Sequence, residues 1–275
     1  MKRVFTTALI LMLALLTPAL AESIPVDTAL SIDLDGDGIT ETLSWAMIPD
    51  EWEQHLELSV ALQNGATVTF PAEVYSHEAV YITDLDGDGM QEILLTGDVM
   101  SDDYYTWCLH LVDGNLYEVL FPDTTRSDEA TRAYYKSGYG LITDINENSV
   151  TLMGSQDMLG TWMATRTVTL APWGLFEFND DGKWYRAADL TDEELWEYAA
   201  LTTTREIPYN DETETLPAGT QLIITAMDKK DTAWFKTVDG VEGTLSVSKD
   251  YNRGFGSLVS NIPEEECFEY LPYAD

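Results

Sequence analysis

The sequence predicts a mostly β protein built from antiparallel strand repeats, two clear and one degenerate, followed by a small C-terminal β-barrel joined to them by a short helix. Three observations carry this prediction. Apolar residues alternate with polar ones in several short runs, the period of a half-buried strand. Asn-Gly and Asp-Gly pairs separate those runs, a strong short-range signal for a hairpin. A segment also returns: Ile32-Asp33-Leu34-Asp35-Gly36-Asp37-Gly38 reappears as Thr83-Asp84-Leu85-Asp86-Gly87-Asp88-Gly89, with Asp84 lying 51 residues after Asp33.

The chain opens with Lys2 and Arg3, an unbroken apolar run from Ala8 to Leu16, and Ala19-Leu20-Ala21 just before Glu22. Residues 1–21 therefore read as a signal peptide. Its apolar run falls short of the roughly 20 residues a membrane span needs. The expectation is a mature chain starting at Glu22, secreted or otherwise extracytoplasmic, with no membrane span once the leader is removed.

After the first Asp-rich segment, Leu56, Leu58, Val60 and Leu62 alternate with less apolar residues, Asn64-Gly65 turns the chain, and a run from Thr67 ends at Phe70-Pro71. After the second, Trp107, Leu109 and Leu111 alternate, Asp113-Gly114 turns, and Leu116 to Phe121 is closed by Pro122. A worn third copy starts at Ile142-Thr143-Asp144-Ile145-Asn146 and continues through strand-like runs at Trp162 to Leu170, Leu175 to Phe178 and Lys183 to Arg186. Each copy thus supplies about four short strands, the size of one propeller blade. Three blades are too few for an ordinary closed ring, so a propeller fragment or an open stack is expected.

Thr191-Asp192-Glu193-Glu194 has the form of a capping box, and Leu195 with Tyr198 to Leu201 would give the helix its apolar side. Strands resume at Thr220 to Thr225, Thr232 to Val238 and Gly243 to Val247, in a region small enough for a barrel. The expected organisation is a repeat domain over 22–190, a linker helix over 191–201 and a barrel domain over 202–275.

Composition narrows the function. The chain carries 49 acidic against 14 basic residues, a formal net charge of −35, and between Val4 and Thr125 there is no Lys or Arg. Nucleic acid is excluded as a partner, because phosphate binding depends on those side chains. The chain is 45% hydrophobic, enough for real cores. Its two cysteines, Cys108 and Cys267, do not make a disulfide-built scaffold, and buried free thiols are the favoured reading.

Both Asp-rich segments read D-x-D-x-D-G-x-x-E: Asp33, Asp35, Asp37, Gly38, Glu41 and Asp84, Asp86, Asp88, Gly89, Glu92. Oxygen donors at the first, third and fifth positions wrap a cation of calcium's size, the seventh residue adds its carbonyl (Ile39, Met90), and glycine at the sixth allows the bend. Glu41 and Glu92 would close the shell. An EF-hand would also need Glu at the twelfth position, where Ser44 and Leu95 stand, and it would need flanking helices. Magnesium prefers a tighter octahedron and retains its waters, so two Ca²⁺ sites are expected. Metal-free Asp-Gly turns would fit the same spacing but would leave three carboxylates repelling one another.

These loops resemble the FG-GAP or VCBS-type repeats of integrin α-chain propellers and many secreted bacterial proteins. The resemblance implies calcium held by Asp33, Asp35, Asp37 and by Asp84, Asp86, Asp88. Two departures are the missing Phe-Gly and Gly-Ala-Pro stretches and Glu in place of Asp at the ninth position. Further on, Leu216-Pro217-Ala218-Gly219-Thr220, Ala233-Trp234-Phe235-Lys236-Thr237 and Asp239-Gly240-Val241-Glu242-Gly243 resemble bacterial Src-homology-3-like domains, which often bind cell-wall peptides. Thr244 replaces the aromatic usual after the last glycine, and core positions are the favoured reading for Trp234 and Phe235.

No catalytic motif accompanies these features. His77-Glu78-Ala79-Val80-Tyr81 has Tyr81 where a zinc-protease helix needs its second histidine, and there is no G-x-S-x-G elbow, C-x-x-C pair or phosphate loop. The expected function is a secreted, calcium-binding, non-catalytic binding or scaffolding protein at the bacterial surface or exterior. Its partner would be an extracellular protein or a cell-wall or glycan ligand, met through aromatics such as Tyr104, Tyr105 and Trp107. The alternative is an accessory module or hydrolase acting on cell-wall or polysaccharide material.

Overall fold

A computed structural model describes residues 23–49, 54–100, 103–122, 134–172, 174–178, 182–188, 190–228, 230–249 and 256–273. The expected leader lies outside the described residues. The chain is mostly β, as expected, and every strand pairing between its named strands is antiparallel.

The first repeat folds as a four-stranded meander of β1 (Leu30–Ile32), β2 (Glu41–Pro49), β3 (Gln54–Ala61) and β4 (Thr67–Ala72). Alternation sets its faces: Leu43 and Trp45 lie opposite Val60 and Leu58, all four buried, while Ser44 and Ser59 point the other way. Asn64-Gly65 makes the β3–β4 turn as expected, with Gly65 at φ +84° and the Asn64 side chain accepting from the Ala66 amide.

The second repeat comprises β5 (Ser76–Thr83), β6 (Glu92–Met100), β7 (Asp103–Val112) and β8 (Asn115–Val119). Two-residue strands β9 (Phe121–Pro122), β10 (Tyr134–Tyr135) and β11 (Gly138–Tyr139) follow; β10 pairs with β9, and β11 extends the sheet along β7. Ile93, Leu94 and Leu95 on β6 are all buried because β6 is covered on both faces. Ile93 and Leu95 join a core shared with the first repeat, and Leu94 joins a core shared with the third. The three repeats therefore stack face to face in chain order.

The third repeat contains β12 (Leu141–Asn146), β13 (Ser149–Asp157), β14 (Thr161–Ala171), β15 (Leu175–Phe178) and β16 (Trp184–Arg186). Where the first two repeats have an Asp-rich loop, this one has a tight turn pairing Asn146 with Ser149. This segment holds neither the glycines nor the aspartate triad of the first two loops.

Helix α1 (Asp192–Tyr198) starts at the expected capping box: Thr191 accepts from the Glu194 amide, and the Glu194 side chain accepts from the Thr191 amide. Its expected apolar side is only partly covered: Leu195, Ala199 and Ala200 are half-buried, no helix residue is fully buried, and Tyr198 is 62% exposed. Leu201, expected to belong to the same face, is buried in the following strand instead.

Beyond it come β17 (Leu201–Thr202), β18 (Ile207–Tyr209), β19 (Glu214–Leu216), β20 (Gln221–Met227), β21 (Thr232–Thr237), β22 (Glu242–Lys249), β23 (Ser257–Val259), β24 (Ile262–Pro263) and the short α2 (Glu264–Cys267). The closed barrel expected here is not formed among the described residues. β16 pairs with both β14 and β20, so β17 and β20 to β24 continue the third repeat in one 11-stranded sheet, while β18 and β19 pair with each other in a separate two-stranded sheet. Trp184 on β16 is fully buried in the C-terminal core, and the Arg186 Nε donates to the Ile224 carbonyl at 2.6 Å. Cys108 and Cys267 are free, buried thiols in different cores. Among the described residues no helix is long and apolar enough to cross a membrane.

Candidate metal centre

Each Asp-rich loop links the first two strands of its repeat. The local sequence shapes it by a chain of short side-chain-to-backbone bonds. In the first loop the Asp37 amide donates to Asp35 Oδ1 at 3.3 Å, the Ile39 amide to Asp37 Oδ1 at 2.7 Å and the Gly38 amide to Asp33 Oδ2 at 2.9 Å. The second loop repeats this pattern: Asp88 to Asp86 at 3.2 Å, Met90 to Asp88 at 2.8 Å and Gly89 to Asp84 at 3.1 Å. Gly38 and Gly89 take left-handed φ values of +85° and +92°, which a side chain would strain.

The result is two sets of converging carboxylates. In each of Asp33, Asp35, Asp37 and Asp84, Asp86, Asp88, one oxygen per residue lies within 4.8 Å of the others, and these two triads could hold a metal ion. Unit charges 4 Å apart repel by about 1 kcal/mol in bulk water and about 4 kcal/mol at an effective dielectric of 20. Two aspartates of each triad are half-buried, Asp37 and Asp88 are exposed, and all six lie in a stretch with no Lys or Arg to offset that repulsion.

One oxygen gives the first site a sharper signature. In the second loop, Asp84 Oδ1 accepts from the Gly87 amide at 2.7 Å. Its counterpart, Asp33 Oδ1, is sealed from solvent and has no hydrogen-bond partner. A buried anionic oxygen without a donor is costly unless a cation meets it. The donor set, hard carboxylate oxygens with a glycine-turned backbone, fits calcium.

Glu41 and Glu92 sit behind the loops and outside the triads. Glu41 is 5% exposed and accepts from the Leu34 amide at 3.0 Å. Glu92 is fully buried, accepts from the Leu85 amide, and bonds His110 Nε2 at 2.7 Å through its other oxygen. Each glutamate thus ties the ninth position of its loop to the second. The Glu92 contact raises the His110 pKa from its ordinary value despite partial burial. Sequence reasoning missed this His110 partnership.

Other candidate residues are dispersed. Tyr104, Tyr105 and Trp107 lie half-buried on β7; Tyr105 packs edge-on against Tyr139 at 5.8 Å, and Tyr104 against His77 at 6.0 Å. Phe235 is core, whereas Trp234 stays half-exposed with Lys183 Nζ 4.5 Å from its ring centroid. His77 and Tyr81 lie on strand β5, where helical metal-ligand spacing has no meaning. Comparison with family models, curated proteins and solved structures finds no match to this chain.

Proposed function

We propose that this chain is an exported, calcium-binding, non-catalytic binding or scaffolding protein of the bacterial surface or exterior. The observation that carries the reading is the pair of aspartate triads, one of which contains a sealed oxygen with no donor. Calcium would be held by Asp33, Asp35 and Asp37 with the Ile39 carbonyl, and by Asp84, Asp86 and Asp88 with the Met90 carbonyl. Glu41 and Glu92 would hold the loops in shape behind the ions.

Three stacked repeats of four or five strands, two of them opening with strand, acidic loop and strand, suit blade-like units of the FG-GAP or VCBS kind. The C-terminal strands would be an Src-homology-3-like module built onto the last repeat. In this reading calcium stiffens the loops, and an extracellular protein or a cell-wall or glycan ligand binds the resulting frame.

Extracellular calcium sites commonly have dissociation constants near 10⁻⁴ to 10⁻³ M, and at tenfold excess each ion would add about 1.4 kcal/mol of stability. Calorimetric titration of the mature chain should show two calcium ions bound. Asp35→Ala and Asp86→Ala should each remove one ion and lower the melting temperature only when calcium is present. Equal melting of both variants and the parent, in calcium and in chelator alike, would mean the loops are ordinary turns.

A further inference from the structure

The two aspartate loops, although 51 residues apart in sequence, touch. The Gln91 amide donates to the Leu34 carbonyl at 2.9 Å, joining the second residue of one loop to the residue that follows Met90 in the other. Gly36 also lies against the second loop: an ideal Cβ there would lie 3.2 Å from the Gly89 carbonyl oxygen and 3.7 Å from Met90 Cγ. Leu34 and Leu85, both buried, anchor the loops into successive cores. The segment of the second loop that would offer its carbonyl to a cation is therefore braced against the first loop.

We infer that the loops form one thermodynamic unit, in which a cation held by either raises the affinity of the other. The inference rests on the calcium reading above. Two effects compete. A second divalent ion is repelled by the first, but salt weakens that repulsion, with a screening length of about 8 Å at physiological ionic strength. Ordering works the other way and is not screened: backbone fixed by the first ion, through Leu34–Gln91 and Gly36–Gly89, need not be fixed again for the second. The direct backbone contact makes ordering the larger effect, so the coupling is positive.

The test is calcium titration of the full mature chain at physiological salt. In the parent, the curve should be steeper than two independent sites allow. Asp86→Asn/Asp88→Asn, which empties the second loop, should leave one site at Asp33, Asp35 and Asp37, weakened about fivefold or more. Asp35→Asn/Asp37→Asn should weaken the other site by the same factor, because coupling between binding sites is reciprocal. A pair of glycine variants keeps every carboxylate: Gly36→Ala and Gly38→Ala strain similar left-handed conformations, but only Gly36 faces the other loop. Gly36→Ala should flatten the curve toward independent sites more than Gly38→Ala does. Two ions bound with the remaining site unchanged or tighter after its neighbour is emptied, or the two glycine variants indistinguishable, would overturn the coupling and leave the calcium reading intact. No calcium uptake by the parent would remove both.

Discussion

Glu92 shows how one residue's surroundings decide its role. Its spacing from Asp84 fits a ligand at the end of a metal loop, which is how the sequence reads it. Its carboxylate is fully buried, with one oxygen on the Leu85 amide and the other on His110. Glu92→Ala should therefore destabilise the fold by roughly 3 kcal/mol, because it strands a buried amide and a half-buried imidazole. Urea denaturation should show that loss in chelator as well as in calcium, unlike the loss from Asp86→Ala; a loss confined to calcium would make Glu92 a ligand and nothing more. The same contact has a pH sign. The folded His110 pKa is raised, so the pair's contribution is complete below the ordinary value of 6.5 and fades as pH rises through the folded value. His110→Gln should accordingly cost more stability in buffer below 6.5 than in alkaline buffer. The triads were legible because their aspartates are adjacent in sequence. The histidine was not, because it arrives from another strand.

At the scale of elements, that histidine also shows where counting fails. Met100 pairs with Asp103, and counting back from this pair along an unbroken β6–β7 ladder would set Glu92 against Leu111. A bulge between Asp98 and Met100 shifts the register by one residue and brings His110 beside it. Such an irregularity leaves no mark in an alternating pattern. The hairpin turns were legible, since Asp113-Gly114 takes left-handed φ values of +49° and +73°, which few other pairs tolerate. The helix start was legible from its capping box, but its packing was not, since amphipathic spacing does not say whether a neighbour exists. Gly97, close to the bulge, makes an element-scale prediction. A Cβ there would fall 2.2 Å from Val74 Cγ1 and 3.2 Å from the Ser76 carbonyl oxygen. Gly97→Ala should therefore lower stability by about 1–3 kcal/mol through overpacking, read as an earlier urea midpoint. Gly87→Ala serves as a control for an added methyl, since nothing lies within 4 Å of its Cβ position. Its own φ of +76° would still strain it, so a Gly97→Ala loss no larger than the control's would refute the packing argument.

For the whole molecule, the question is where one cooperative unit ends. A capped helix between two strand-rich stretches suggests a boundary at 191–201, but the packing runs past it. β14 contributes to two cores at once: Val168 and Leu170 face the core shared with the second repeat, while Trp162 and Ala164 face the C-terminal core together with Trp184. Between them Arg166, 7% exposed, lies over the Phe178 ring at 3.3 Å and within 5.8 Å of Trp184. The chain's end returns to the same place, where the Thr161 amide donates to the Pro272 carbonyl at 2.9 Å and Leu271 packs on the core. No helix residue is fully buried, although Leu195 and Trp196 are half-buried, so the helix adds no core of its own between the two stretches. Residues 202–275 alone would lack Leu159, Trp162, Ala164, Trp184 and Leu201 from their core, and β20 would lose its partner β16. That fragment should show no cooperative thermal transition, whereas the full chain should unfold its third repeat and C-terminal strands together. Trp184→Ala should cost about 3–5 kcal/mol and lower that joint transition as one. A fragment that melts sharply at the temperature of the full chain would show instead that the sheet crossing from β16 to β20 carries little of the stability, and that the helix does mark a thermodynamic boundary.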